Sequence, residues 1–286
     1  MTQVSKKTIN VRGELLDLSL PRVMGILNIT PDSFYEKSRF DSLDTVLERV
    51  GAMETEGATF IDIGGYSTRP GAKEVCVEEE IDRIESIIEP IDKYFPKLII
   101  SIDTFRSKVA KKAVEKGADI INDVSGGELD SEMFDTVAAL GVPYVLMHMR
   151  GTPQTMGSLT QYDHLVSDLL KEMGEKIVAL KHRGVKDIIV DPGFGFAKSI
   201  AQNFELLQNL SEFGQLGYPV LAGLSRKATI YKTLNITADE ALNGTTVLNT
   251  IALQQGASIL RVHDVKPAVE AVKLWMATKG ELKIVI

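Results

Sequence analysis

Three carboxylates (Asp62, Asp103, Asp191), a carboxamide (Asn122) and five cationic or cation-capable side chains (Arg69, Arg226, Lys227, Arg261, His263) sit in short polar or glycine-rich clusters of this chain. Carboxylates set deep in a site suit a ligand with several N–H donors, such as an aminopyrimidine edge. The cations suit an anionic leaving group or a carboxylate. Ser225-Arg226-Lys227 stands where a helix is expected to open, and a helix N-terminus attracts anions. The sequence has no His-Glu-x-x-His and no cysteine pair, which argues against zinc. Magnesium on a substrate diphosphate would need only one or two protein oxygens. There is no Walker loop and no Gly-x-Gly-x-x-Gly after the first expected strand, and Gly193-Phe194-Gly195 is too short to count.

These clusters recur because the elements that carry them recur. Short β-branched, apolar runs are expected as strands near Val23–Asn28, Thr59–Ile63, Leu98–Asp103, Asp119–Asp123, Pro143–His148, Asp187–Asp191, Pro219–Gly223 and Ser258–Val262. Helical spacing fills the gaps. Leu43, Val46, Leu47, Val50 and Met53 share a face, as do Leu165, Leu169, Met173, Ile177 and Leu180, and Val265, Val269, Val272 and Met276. Gly57, Gly117, Gly141, Gly184 and Gly256 each precede a strand, where a helix-ending glycine belongs. Eight such units in 286 residues predict one (β/α)8 barrel domain over residues 1–286, with a doubly wound open sheet as the competing architecture.

The polar clusters follow the strands rather than the helices, and in a parallel barrel all strand C-termini share one rim. One large site is therefore expected there. Each cluster also has a plainer reading, since Asp, Asn and Gly at strand ends are ordinary turn and cap residues. Asp123, Ser101 and Asp264 can be caps or loop formers, and His148 can be a satisfied rim histidine or a ligand contact.

Composition sets outer bounds. At 44% hydrophobic and 25% charged, the chain reads as soluble and globular. A net charge of −7 argues against nucleic acid but not against a small anion. Cys76 is the one cysteine, so no internal disulfide is available, which suits a reducing cytoplasm. The start of the chain lacks a signal-type apolar stretch and no run approaches ~18 apolar residues, so neither secretion nor membrane spanning is expected.

At these residues the sequence resembles the dihydropteroate synthase family over nearly its whole length. The resemblance rests on Gly25-Ile-Leu-Asn-Ile-Thr-Pro-Asp-Ser-Phe34, Asp62-Ile-Gly-Gly-Tyr-Ser-Thr-Arg-Pro-Gly-Ala72, Asn122-Asp-Val-Ser-Gly126, Met147-His-Met149, Asp191-Pro-Gly193, Leu224-Ser-Arg-Lys227 and Arg261-Val-His-Asp-Val265, in the family's order. It implies a pterin-binding barrel enzyme, a transferase. The implied reaction joins 6-hydroxymethyl-7,8-dihydropterin diphosphate to p-aminobenzoate, giving 7,8-dihydropteroate and diphosphate in folate biosynthesis. Pterin contacts are implied for Asp103, Asn122, Met147, Asp191, Phe196, Gly223 and Lys227. The p-aminobenzoate contacts would be Thr68, Arg69, Pro70 and Ser225, and the diphosphate contacts Asn28, Arg261 and His263. Asn28 would also hold Mg2+, and Asp103, Lys227 and Arg261 would carry catalysis. The resemblance further implies a cytoplasmic homodimer, small-molecule partners only, and a sulfonamide target. Two places depart from the family pattern: Tyr35-Glu-Lys-Ser-Arg39, where an Asp-Gly-Gly-like turn is usual, and Tyr66, where Glu is more common. Competing readings are a pterin-binding methyltransferase barrel, an aldolase with Lys227 as Schiff-base lysine, and a paralogue that binds pterin without turnover.

Overall fold

The computed structural model describes residues 7–29, 39–66 and 75–281. The chain enters through an antiparallel hairpin, β1 (Thr8–Val11) and β2 (Glu14–Asp17). Parallel strands and helices then alternate: β3 (Arg22–Asn28), α1 (Arg39–Glu56), β4 (Phe60–Gly64), α2 (Val77–Tyr94), β5 (Ile99–Asp103), α3 (Ser107–Glu115), β6 (Ile120–Asp123) and α4 (Met133–Leu140). They continue as β7 (Tyr144–Met147), α5 (Leu165–His182), β8 (Ile188–Asp191), α6 (Ile200–Gln208), β9 (Leu221–Ala222), α7 (Ala228–Leu234), α8 (Leu242–Gln254), β10 (Ile259–Val262) and α9 (Val265–Thr278). The sheet has eight strands in the order β8-β7-β6-β5-β4-β3-β10-β9. A parallel bridge between Val190 and Val220 joins its two ends, with the Val190 N–H donating to Pro219 O at 2.9 Å. The sheet is thus a closed barrel, and the open-sheet alternative falls.

The eight expected strands all form, with ends shifted by a residue or two. The shortest is β9, with two residues. The helix faces also pack as the spacing predicts: Val46, Val50 and Met53 are buried in the barrel–helix core with Leu43 and Leu47 against them, and Leu165, Leu169, Met173, Ile177 and Leu180 are buried along α5. The five helix-ending glycines all have positive φ. Among the described residues no helix is long and apolar enough to cross a membrane.

Inside the barrel, side chains come in layers because alternate strand residues point inward. The apolar floor takes one residue from each strand: Met24, Phe60, Ile99, Ile120, Val145, Ile189, Leu221 and Ile259. Ile9, Val11, Leu16 and Leu18 of the hairpin segment close it from below. The sequence expectations contain no element before Val23, so the hairpin is new. Its turn is Arg12-Gly13, with φ of 54° and 83°, the doubly left-handed geometry that a two-residue hairpin needs. Arg12 donates to Asp119 at 2.7 and 2.8 Å, which fastens the hairpin to the start of β6.

If the hairpin plugs the barrel, Ile9→Ala should lower stability by about 2–5 kcal/mol in urea denaturation, as for other buried Ile-to-Ala changes. A loss below about 0.5 kcal/mol, the usual size at a surface position, would show that the barrel floor does not depend on it.

Candidate active site

Two residues further along each strand the inward-facing side chains change character. These positions read Ile26, Asp62, Ser101, Asn122, Met147, Asp191, Gly223 and Arg261. The strand period of two therefore sets a polar layer directly on the apolar floor. Asp62 is its hub and has no exposed surface. Ser101 Oγ donates to Asp62 Oδ1 at 2.6 Å, while Asn122 Nδ2 and Arg261 Nε donate to Oδ2 at 3.0 and 2.6 Å. Arg261 Nη2 donates to Asp103 Oδ2 at 2.6 Å. One guanidinium thus links carboxylates on β4 and β5 to β10. Because Asp62 can only accept, it fixes the Asn122 amide with its NH2 toward Asp62 and its oxygen on the opposite side.

The charges here are strongly perturbed. Burial pushes the Asp103 carboxyl up to about 7, with Arg261 pulling it down and Asp62 pushing it further up. Burial also works against the Arg261 charge, but Asp62 and Asp103 outweigh it and hold the guanidinium above its ordinary value. Across the mouth, burial raises Asp191 above the usual carboxylate range, opposed by the Lys227 charge. Burial lowers the Lys227 ammonium to about 8, with Asp191 resisting. Two opposed pairs of charges in one shielded space make a site tuned for a polar, partly ionised ligand.

Lys227 stands just before α7 and donates through Nζ to Phe194 O, with the Phe196 ring centroid 5.0 Å from the ammonium. A Cβ on Gly223 would sit 3.7 Å from that nitrogen, so glycine at this strand end leaves the space open. Val124, Met147, Met149, Met156 and Ala197 form a small apolar cluster at the rim, with Phe105, Leu129 and Phe196 packed against it. A flat ring would find a hydrophobic wall here and hydrogen-bonding edges opposite. Ser225 Oγ accepts from the His263 N–H at 3.2 Å and lies 3.1 Å from His263 Nδ1. Asn28 and Asp103 both come close to Gly64: a Cβ there would meet Asn28 Oδ1 at 3.5 Å, Asp103 Cβ at 3.7 Å and Asp103 Oδ2 at 3.9 Å. Among the described residues no group of three His, Cys, Asp or Glu is placed to hold a metal.

Residues 24–263 match the family model described as pterin binding enzyme. The Haemophilus influenzae dihydropteroate synthase is 44% identical over 265 residues, covering 92% of this chain and 96% of that protein. The chain belongs to the dihydropteroate synthase family. The solved dihydropteroate synthase of Yersinia pestis, in a sulfonamide drug complex, superposes with a TM-score of 0.89 at 40% identity, covering 96% of this chain and 99% of that one. That of Xanthomonas albilineans in complex with 7,8-dihydropteroate gives 0.84 at 35% identity, with the same coverage of 96% and 99%.

Of the positions that the dihydropteroate synthase resemblance marks, the structure brings Asn28, Asp103, Asn122, Met147, Asp191, Phe196, Gly223, Ser225, Lys227, Arg261 and His263 to the one rim. Thr68, Arg69 and Pro70 lie outside the described residues, as do Tyr35 to Ser38. Tyr66 packs edge-on against Phe105 with ring centroids 5.3 Å apart and lies under the Arg106 guanidinium at 5.1 Å. Arg226, grouped in sequence with the anion-binding cations, is committed elsewhere: it forms a two-pronged pair with Asp264 at 2.8 and 2.9 Å and caps Ala238 O and Asp239 O. Asp264 is therefore an ion-pair partner and makes no side-chain cap bond on α9. Asp123 keeps its plainer reading, bonded to Ser125, Gly127 and Tyr144. Sequence reasoning offered Asp62 to the ligand, whereas its oxygens are taken by Ser101, Asn122 and Arg261.

The Asp103 carboxyl should titrate near pH 7 in carbon-13 NMR of the ligand-free protein. Arg261→Met should move that midpoint upward, since removing a cation disfavours the carboxylate. A midpoint near the ordinary 3.8 would contradict the burial assigned to this group.

Proposed function

We propose that this chain is an enzyme of folate biosynthesis, a transferase that condenses 6-hydroxymethyl-7,8-dihydropterin diphosphate with p-aminobenzoate. The observation that carries this reading is the polar network itself: Asp62, Arg261, Asp103 and Asn122 joined by hydrogen bonds at the mouth that Asp191 and Lys227 share, on a chain of this family. The relatives support the substrate pair, since one solved homologue holds 7,8-dihydropteroate and another a sulfonamide drug.

In this reading the pterin ring enters edge-first. Asp191 and the Asn122 amide oxygen accept from its amidine-like edge, Asp103 accepts from a further ring N–H, and Lys227 donates to a ring oxygen or nitrogen. Met147, Phe196 and the open space over Gly223 enclose the ring. Arg261, His263 and Asn28 face the diphosphate, and Ser225 with Thr68, Arg69 and Pro70 receives p-aminobenzoate. The C–O bond at the pterin methylene breaks with its electron pair leaving on diphosphate. The amine nitrogen of p-aminobenzoate bonds to the methylene carbon and gives its proton to solvent. The path is largely dissociative: the ring delocalises positive charge, and buried carboxylates stabilise it as it develops. A weakly basic amine needs little base, so the rest of the work is positioning.

Asn28, exposed at the end of β3, offers a carboxamide oxygen of the kind a magnesium ion on a substrate diphosphate takes, since such an ion needs only one or two protein oxygens. When bound, such an ion would neutralise charge on the departing diphosphate. A homodimer is supported by exposed Val247 and Ile251 on α8 and Leu274 on α9, two helices that pack together. A cytoplasmic setting is supported by the single free Cys76.

The test is diphosphate release from the pterin diphosphate with Mg2+, with and without p-aminobenzoate. Release that requires p-aminobenzoate and yields dihydropteroate is expected; pterin binding without release would make the chain a non-catalytic pterin binder. Asp191→Ala should cost about 1.5–3 kcal/mol of pterin affinity by calorimetry, the usual value of a charged hydrogen-bond partner. Undiminished affinity would remove Asp191 from the ring edge.

A further inference from the structure

Behind the rim lies a buried lysine that the proposed chemistry does not use. Lys198 is 8% exposed. Its Nζ has three partners: Gly193 O at 3.1 Å, Phe196 O at 3.0 Å and His148 Nδ1 at 3.1 Å. An ammonium has three N–H bonds, so these partners saturate the charged form, which burial disfavours by lowering Lys198 to about 7 while Asp191 resists. In that charged form no donor is left for a ligand. Any effect on the site must pass through what it holds.

What it holds is the loop that forms one side of the site. Gly193 and Phe196 are the two ends of a turn, closed by the Phe196 N–H donating to Gly193 O at 3.1 Å. Between them Phe194 O accepts from Lys227 Nζ, and the Gly195 N–H donates to Asn203 Oδ1 at 2.6 Å. At its start the Gly193 N–H donates to Asp191 Oδ1 at 2.8 Å. The loop therefore sets the acceptor for Lys227, the Phe196 ring beside it and one oxygen of Asp191. It is also pressed against β7: a Cβ on Gly193, whose φ is +73°, would meet His148 O at 2.0 Å.

The third bond sets the state of His148. Glu172, held low by its bonds from His148 and Arg150, can only accept, so Nδ1 accepts from Lys198 Nζ and the proton belongs on Nε2. That nitrogen is 2.9 Å from Glu172 Oε2, a carboxylate that Arg150 also holds. Burial lowers His148 to about 4, in keeping with a neutral ring. His148 thus takes the satisfied-histidine reading, buried between Glu172 and Lys198.

We infer that Lys198 is a positioning residue for the pterin half of the site, which its Nζ organises by fastening the Gly193–Phe196 turn to His148. The inference rests on the proposed pterin reading and deepens it. It separates the two substrates, because the turn touches Asp191, Phe196 and Lys227 but neither Ser225 nor His263.

Lys198→Met should raise the KM for the pterin diphosphate roughly tenfold or more, as expected for loss of a charged hydrogen-bond donor. The KM for p-aminobenzoate should stay within about twofold at saturating pterin, again a small free-energy change. His148→Leu, which removes one acceptor, should shift the pterin KM in the same direction by a smaller factor. In nitrogen-15 NMR of the unmutated protein, His148 should carry its proton on Nε2. An Nδ1 proton, an unchanged pterin KM in both variants, or KM values for the two substrates that rise together would overturn the inference. Should Lys198→Met fail to fold, His148→Leu and the tautomer measurement decide it alone. Absence of pterin binding by the unmutated chain would instead refute the functional reading on which the inference stands.

Discussion

A guanidinium shared between a buried and a partly buried carboxylate governs this barrel mouth. Arg261 on β10 reaches Asp62 on β4 and Asp103 on β5, two and three strands away around the sheet, with both contacts at 2.6 Å. Such a group is costly to assemble, because three charges leave water and their mutual attraction returns that energy only when geometry is good and remaining lone pairs are satisfied. Ser101 and Asn122 supply that satisfaction at Asp62. The strands must then hold their register closely, since a slip of one residue on β4 would turn Asp62 outward into the helix layer. The apolar floor and the hairpin beneath it supply the stability on which this polar layer draws.

The consequence is a preorganised pocket rather than a flexible one. Each ring-facing group is already oriented by a neighbour. Asn122 is turned by Asp62, Lys227 is held by Phe194 O, and Asp191 is bonded by the Gly193 N–H. Donors and acceptors fixed before the ligand arrives need no reorganisation as charge develops, which is where electrostatic catalysis gains most. Burial drives carboxylates up and the lysine down, so the groups that face the ligand lie closer to neutrality than exposed counterparts would.

Much of this was legible in the sequence, for identifiable reasons. The strands announce themselves because parallel strands buried on both faces are short β-branched runs, as in Ile120-Ile121 and Ile188-Ile189-Val190. The rim follows from chain direction, since every cluster comes after its strand. What could not be read is pairing across the barrel. Nothing local in sequence tells that Arg226 is consumed by Asp264 while Arg261 remains in the site, or that Asp62 is filled by Ser101, Asn122 and Arg261. Lys198 follows Gly-Phe-Gly-Phe-Ala with no periodicity to mark it as buried. The β1–β2 hairpin escaped because two four-residue strands joined by Arg-Gly carry too short an alternation, and its apolar residues have meaning only against the barrel floor.

The dependence of the site on the central ion pair can be measured directly by a double-mutant cycle. Asp62→Asn, Arg261→Met and the double variant would be compared for pterin diphosphate affinity by calorimetry. If the pair organises the pocket, the two losses overlap, and a coupling energy of about 1 kcal/mol or more is expected. Losses that add within about 0.3–0.5 kcal/mol, the behaviour of independent sites, would mean that Arg261 acts on the ligand alone and that Asp62 plays no part in aiming it.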